Sequence, residues 1–230
     1  MQRVLPDGCA DILFVGSEAP FVVGPATHTF MVSLPPEGIV TGVRFRPGAA
    51  AAMLGLPLDE ILNREVELDA IWNRTAVSEL TDSVLGGRTA SGRLDALERA
   101  LGIRATSVPM PDAGVLAAIA EIKRNPDVSQ DELEKVAGYC ARHLRRRFHE
   151  AVGYGVKTFQ RIARLQRFRE SSCRPEQHRH GLAGMAAHLG YADQAHMTRE
   201  VKELSGVTPS NLRVIAPQMQ TLSDPFSESP

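Results

Sequence analysis

The sequence predicts an α+β N-terminal domain followed by an all-α domain. Three observations lead there. Short β-branched and aromatic runs crowd the stretch from Asp11 to Arg46, helical spacings take over afterwards, and residues 104–112 combine two prolines with small polar residues and no periodicity. The domains expected are 1–104, a linker at 105–112, an all-α domain at 113–215 and a loose tail at 216–230. With 230 residues the chain has room for two domains of about 100 each. Hydrophobic residues at 43% and charged residues at 23% exclude a disordered or fibrous chain.

In order, Ile12-Leu13-Phe14-Val15, Phe21-Val22-Val23, Phe30-Met31-Val32 and Ile39-Val40 leading to Val43-Arg44-Phe45 read as strands, separated by Gly24-Pro25 and Pro35-Pro36-Glu37-Gly38. Ala49 to Leu54 is alanine-rich. Val77, Leu80, Val84 and Leu85, then Leu94, Leu97 and Leu101, recur at helical spacing. In the second domain Val115, Leu116, Ile119 and Ile122 mark a helix that Asn125-Pro126-Asp127 ends, because proline disfavours a helical residue before it. Ala216 to Pro230 shows no apolar rhythm.

Charge divides the chain as the patterns do. Residues 1–110 hold 9 Lys/Arg against 13 Asp/Glu, residues 111–230 hold 17 against 14, and residues 138–181 alone hold 11 against 3. A local field of that sign attracts polyanions, of which phosphate backbones are the commonest.

In the C-terminal half, Ser129-Gln130-Asp131-Glu132 is a capping box that starts a helix near Gln130, with Leu133, Val136 and Ala137 on one face and Gly138 as its turn. A second helix follows Cys140. Leu144, Phe148 and Ala151 share its buried face, leaving Arg142, His143, Arg145 and Arg146 outward or sideways. The pattern returns about fifty residues on: Leu182, Met185 and Ala186, then Gly190, then Asp193 as N-cap of a helix through Leu204 that buries Met197 and Val201. Gln194, Ala195, Thr198 and Arg199 occupy its first exposed turns. The all-α domain is thus expected to hold two helix-turn-helix units. Phe159, Ile162, Ala163 and Leu165 define a connecting helix from about Lys157 to Glu170 between them.

These residues resemble the AraC/XylS-type transcriptional regulators. The second unit carries the resemblance through Gly190-Tyr191-Ala192-Asp193-Gln194-Ala195-His196-Met197-Thr198-Arg199-Glu200-Val201 and Gly206-Val207-Thr208-Pro209. The first, Cys140 to Gly153, is also similar, with Cys140 where Ser or Thr usually caps the helix and Gly153-Tyr154-Gly155-Val156-Lys157 departing from Gly-x-Ser/Thr-Pro-Lys. The N-terminal half resembles an uncharacterised sensor-like domain found in one branch of these regulators, through Pro6-Asp7-Gly8-Cys9-Ala10-Asp11-Ile12-Leu13-Phe14 and Gly42-Val43-Arg44-Phe45-Arg46-Pro47-Gly48-Ala49.

The resemblance implies a bacterial, cytoplasmic, sequence-specific DNA-binding regulator, with duplex DNA as partner and no enzymatic step or cofactor. At 1.5 Å per residue the connecting helix spans roughly 21 Å, and one helix diameter of about 10 Å brings the recognition helices to roughly 30 Å, near the duplex repeat of about 34 Å. Arg142, His143, Arg145 and Arg146 are then expected to read bases in one groove, and Gln194, Ala195, Thr198 and Arg199 in the next. Lys157, Arg161, Arg164 and Arg167 are expected on the DNA backbone. A small-molecule effector and a second copy of the chain are the partners such an N-terminal domain would take.

Other readings are weaker. Cys9 with Asp7, Asp11 and His28 can be drawn as a nucleophile set or metal site, but a cysteine beside an apolar strand is ordinarily a small core residue. Cys173, His178 and His180 suggest a metal only if a polar loop is not the simpler account, and three cysteines without CxxC spacing argue against structural zinc and disulfides. Trp72 and Tyr191 read as core aromatics rather than ligand-stacking groups. No apolar run approaches the roughly 20 residues of a membrane span, and Met1 to Pro6 lacks a secretory apolar core.

Overall fold

The computed structural model describes residues 1–33, 40–173 and 181–218. Its N-terminal half contains β1 (Gln2–Val4), β2 (Ala10–Val15), β3 (Phe21–Val23), β4 (Phe30–Val32), β5 (Val40–Phe45), α1 (Ala50–Leu54), β6 (Glu65–Glu67), α2 (Arg74–Leu85) and α3 (Ala90–Ala105). Strands β5, β2, β3 and β6 form an antiparallel sheet in that order, with Ile12 facing Val43 on one side and Val22 on the other. Alternation decides the buried face: Ala10, Ile12 and Phe14 of β2 point inward onto Leu54, Val84 and Leu97. Strand β1 pairs with β4 as a separate two-stranded sheet.

The four strand runs read from sequence are present, although Ile39 and the Pro35–Gly38 turn lie outside the described residues. Strands β1 and β6 are additions. Trp72 is structural: its Nε1 donates to the Leu54 carbonyl at 3.0 Å, and the Arg104 guanidinium stacks 3.9 Å from its ring centroid. Three helical positions differ from expectation, since Leu94 is 42% exposed on α3, and Leu116 is 38% and Val136 47% exposed further on.

The C-terminal half is helical: α4 (Ala113–Arg124), α5 (Gln130–Ala137), α6 (Ala141–Val152), α7 (Val156–Ser172), α8 (Gly181–His188), α9 (Gln194–Ser205) and α10 (Pro209–Ile215). Asp112 caps α4 by accepting from Val115 N at 3.0 Å. Thr208 caps α10, with Pro209 in the first turn, where its missing N–H costs nothing. Phe148, Phe159, Phe168, Leu133, Ile162 and Val201 build one core around α7, with Phe148 and Phe159 edge to face at 5.7 Å. The tail expected from Ala216 starts instead with a 3₁₀ turn, Ala216–Gln218, in which Ala216 is buried.

The halves are joined by more than a linker. Leu5 is buried in the C-terminal core, and the Gln166 side chain on α7 donates to the Pro6 carbonyl at 2.7 Å. Helix α6 packs on α1 and on the 3₁₀ turn Leu58–Ile61. Gly153, which ends α6 with φ at +91°, sits so close that a Cβ there would lie 2.7 Å from Pro25 Cγ and 3.1 Å from the Leu58 carbonyl oxygen. Gly153→Ala is therefore expected to lose about 2 kcal/mol from left-handed strain and crowding, lowering Tm by roughly 4–8 °C in a thermal melt. An unchanged Tm would show that the halves separate freely at this contact.

Candidate nucleic-acid interface

The first unit is built from local signals. Ser129 accepts from Glu132 N at 3.3 Å and Glu132 accepts from Ser129 N at 3.1 Å, closing the capping box that starts α5. Gly138 ends α5 in the left-handed region and Cys140 opens α6 with no side-chain cap, as its thiol in place of a hydroxyl implied. Leu144, Phe148 and Ala151 anchor α6 in the core, so the opposite face is solvent-facing.

The arginines on that face differ. Arg142 and Arg145 are exposed and make no hydrogen bond or ion pair among the described residues. Arg146 pairs with Glu150 one turn on at 2.9 Å, both exposed. Arg147 lies 3.7 Å from the Asp112 carboxylate and donates to His143 Nε2 at 3.4 Å. His143, half-buried, packs on the Tyr139 ring at 4.7 Å, and Tyr139 in turn donates to Asp112 at 3.0 Å. Arg142 stands in the first turn of α6, which has no acidic residue to offset the positive end of the helix dipole. A cation held there is stabilised only by an external anion.

In the second unit Asp193 caps α9, accepting from His196 N at 2.6 Å. Met197 and Val201 face the core, while Gln194, Ala195 and Arg199 are exposed and Arg199 has no partner among the described residues. Thr198 is half-buried, its hydroxyl donating to the Gln194 carbonyl at 2.8 Å. His196 leans edge-on against the Tyr191 ring at 5.5 Å. Tyr191 is a core aromatic, its phenol pushed upward by burial and by the Glu200 carboxylate.

On connecting helix α7, three of the four residues expected on the DNA backbone have partners within the protein. Arg164 donates from Nε to Glu200 Oε1 and from Nη2 to Glu200 Oε2, both at 2.9 Å, and reaches Asp127 at 3.1 Å. Arg161 meets Glu200 at 3.1 Å and Glu203 at 2.7 Å. Arg167 donates to the Lys123 and Arg124 carbonyls at the end of α4, at 2.8 and 2.6 Å. All three are clamps that seat α7 against α9 and α4. They occupy themselves inside the protein, and of the four residues expected on phosphates only Lys157 is exposed and unpaired among the described residues. Glu200, the buried acceptor at the centre of this network, was not singled out from sequence.

In the N-terminal half, Arg44 bridges Asp7 at 3.0 Å and Asp11 at 2.8 Å, and Asp7 accepts from Cys9 N at 3.0 Å. Burial, then the Asp7 charge, push the Cys9 thiol far above its ordinary value. A thiol so held stays protonated and is not an activated nucleophile. Among the described residues no group of three or more His, Cys, Asp or Glu is placed to hold a metal, with His178 and His180 outside them. No described helix is long and apolar enough to cross a membrane.

Residues 133–214, which run from inside α5 into α10 and so take in α6 and α9, match a family model described as a helix-turn-helix domain. The chain is a DNA-binding transcription regulator with a helix-turn-helix domain in its C-terminal half. Residues 1–67 of this regulator match a model described as a domain of unknown function, DUF6597. The regulator is similar in structure to ToxT from Vibrio cholerae O395, with 11% identity, 93% of each chain covered and a TM-score of 0.48. No curated protein matches it.

Proposed function

We propose that the regulator reads two successive major grooves of duplex DNA, with α6 in one and α9 in the next. The observation that carries this is the selective freedom of the side chains there: among the described residues Arg142, Arg145 and Arg199 stay exposed and unpaired while arginines around them are tied to acidic groups or carbonyls. The 17 residues of α7 span about 25 Å, and a helix diameter of about 10 Å brings the two helices to roughly 35 Å, close to one duplex turn of about 34 Å. Arg142 and Arg145 are assigned to guanine edges, with Arg146 and His143 beside them once released from Glu150 and Tyr139. Gln194 suits adenine, Arg199 a guanine, Thr198 and Ala195 a thymine methyl, and Lys157 a phosphate. The N-terminal domain is assigned the effector or dimerisation role of a cytoplasmic regulator that performs no catalytic step.

In vitro selection from a random duplex library tests this. The recovered sequences are expected to contain two half-sites centred about 10 bp apart, and scrambling either half should weaken binding by roughly 1–3 kcal/mol per altered base pair. Recovery of a single half-site, indifferent to flanking sequence, would overturn the two-groove reading.

A further inference from the structure

The last carbonyls of a helix have no partners within it and carry the negative end of its dipole. At the end of α9 the N-terminal half supplies those partners. Arg3 on β1 donates from Nη1 to the Ser205 carbonyl at 2.8 Å. Thr29, immediately before β4, donates to the Leu204 carbonyl from both its backbone N–H, at 3.0 Å, and its hydroxyl, at 2.9 Å. Gly206, the left-handed residue that ends α9, lies so close that a Cβ there would stand 3.2 Å from Arg3 Nη1. Strands β1 and β4 pair with Arg3 opposite Met31 and Val4 opposite Phe30, so both donors ride on one small sheet.

The end of α6 is held by the same half of the chain, through Pro25 and Leu58 against Gly153. Each recognition helix therefore finishes in a left-handed glycine against which the N-terminal half is pressed. A body that holds the ends of both helices also sets the angle and distance between them.

We infer that Arg3 and Thr29 are positioning residues for DNA recognition: through the β1–β4 sheet they fix α9 relative to α6 and so set the half-site spacing the regulator accepts. This rests on the two-groove reading above. Neither residue touches DNA. Their effect is on the separation of two sequences, not on the sequences themselves.

The test is selection from one random duplex library by the full-length wild type and by an Arg3→Gln/Thr29→Val variant, with thermal melts of both. The wild type is expected to recover two half-sites at one spacing. The variant should recover the same half-sites over a spread of at least three spacings. On the wild-type duplex with 2 bp inserted between half-sites, wild-type affinity should fall at least tenfold and that of the variant less than threefold. Arg3→Lys, which keeps a charged donor, should restore most of the wild-type profile, whereas a merely structural role would move Tm without moving spacing. Should the double variant fail to fold, the single Arg3→Gln chain, which retains all the Thr29 bonds, makes the same comparison. A variant with the wild-type single spacing overturns the inference and leaves the two-groove reading standing. A wild type that recovers only one half-site overturns both.

Discussion

Glu200→Ala is expected to destabilise the regulator by about 3–5 kcal/mol, because it strands a buried guanidinium. The Glu200 side chain is 5% exposed and that of Arg164 12%, and both carboxylate oxygens are taken by Arg164 at 2.9 Å. Without Glu200, Arg164 keeps the Tyr191 ring, 5.4 Å from its guanidinium, and Asp127, which is 48% exposed and so partly screened. Arg161 contributes less to the loss, since it is 31% exposed and retains Glu203 at 2.7 Å. If the cost is that of an unpaired buried charge, removing both partners should hurt less than removing one, and an Arg164→Met/Glu200→Leu variant should recover a large part of the lost stability. Urea unfolding of the three chains, followed by helical circular dichroism, decides this. A loss below about 1 kcal/mol for Glu200→Ala would mean that the network is solvated and that α9 is seated by its apolar side chains and the bonds at its C-terminal end.

The same network marks where reading the sequence stops. The capping box at Ser129, the cap at Asp193, the breaks at Gly138 and Gly190 and the apolar rhythm of α7 were all legible, because each is a relation between residues within a turn or two of one another. Strands β2 and β3 were legible for the same reason. Strands β1 and β6 were not: each has three residues, Gln2-Arg3-Val4 and Glu65-Val66-Glu67, too polar to signal a strand without the partner that pairs with it. Leu94 and Val136 fit a helical period yet face solvent, since periodicity locates a stripe without fixing which marginal position falls beyond its edge. The arginines of α7 carry the sharpest lesson. Their spacing and charge were visible, but the groups that engage Arg161, Arg164 and Arg167 lie 36 to 44 positions away. Composition reports a cation and is silent on whether the fold has already spent it.

On α6 that distinction becomes a prediction. An Arg142→Ala/Arg145→Ala variant is expected to lose about 2–5 kcal/mol on the duplex selected by the wild type, roughly thirtyfold to several-thousandfold in affinity, at about 1–3 kcal/mol for each base contact. On random duplex the loss should be far smaller, being that of two charges near phosphates. The two side chains are three residues apart and so neighbours on one helix face, opposite the fully buried Leu144 and Phe148. Since neither has an intramolecular partner among the described residues, their removal should leave Tm unchanged, or raise it slightly by relieving the cation in the first turn of α6. An Arg147→Ala control differs in kind. It severs contacts to Asp112 and His143, so it should lower Tm while sparing base preference. Competition titrations of the chains on selected and random duplex separate these outcomes. Equal losses on both DNAs for the double variant would reduce Arg142 and Arg145 to phosphate contacts and leave base reading in the first groove to Arg146 and His143.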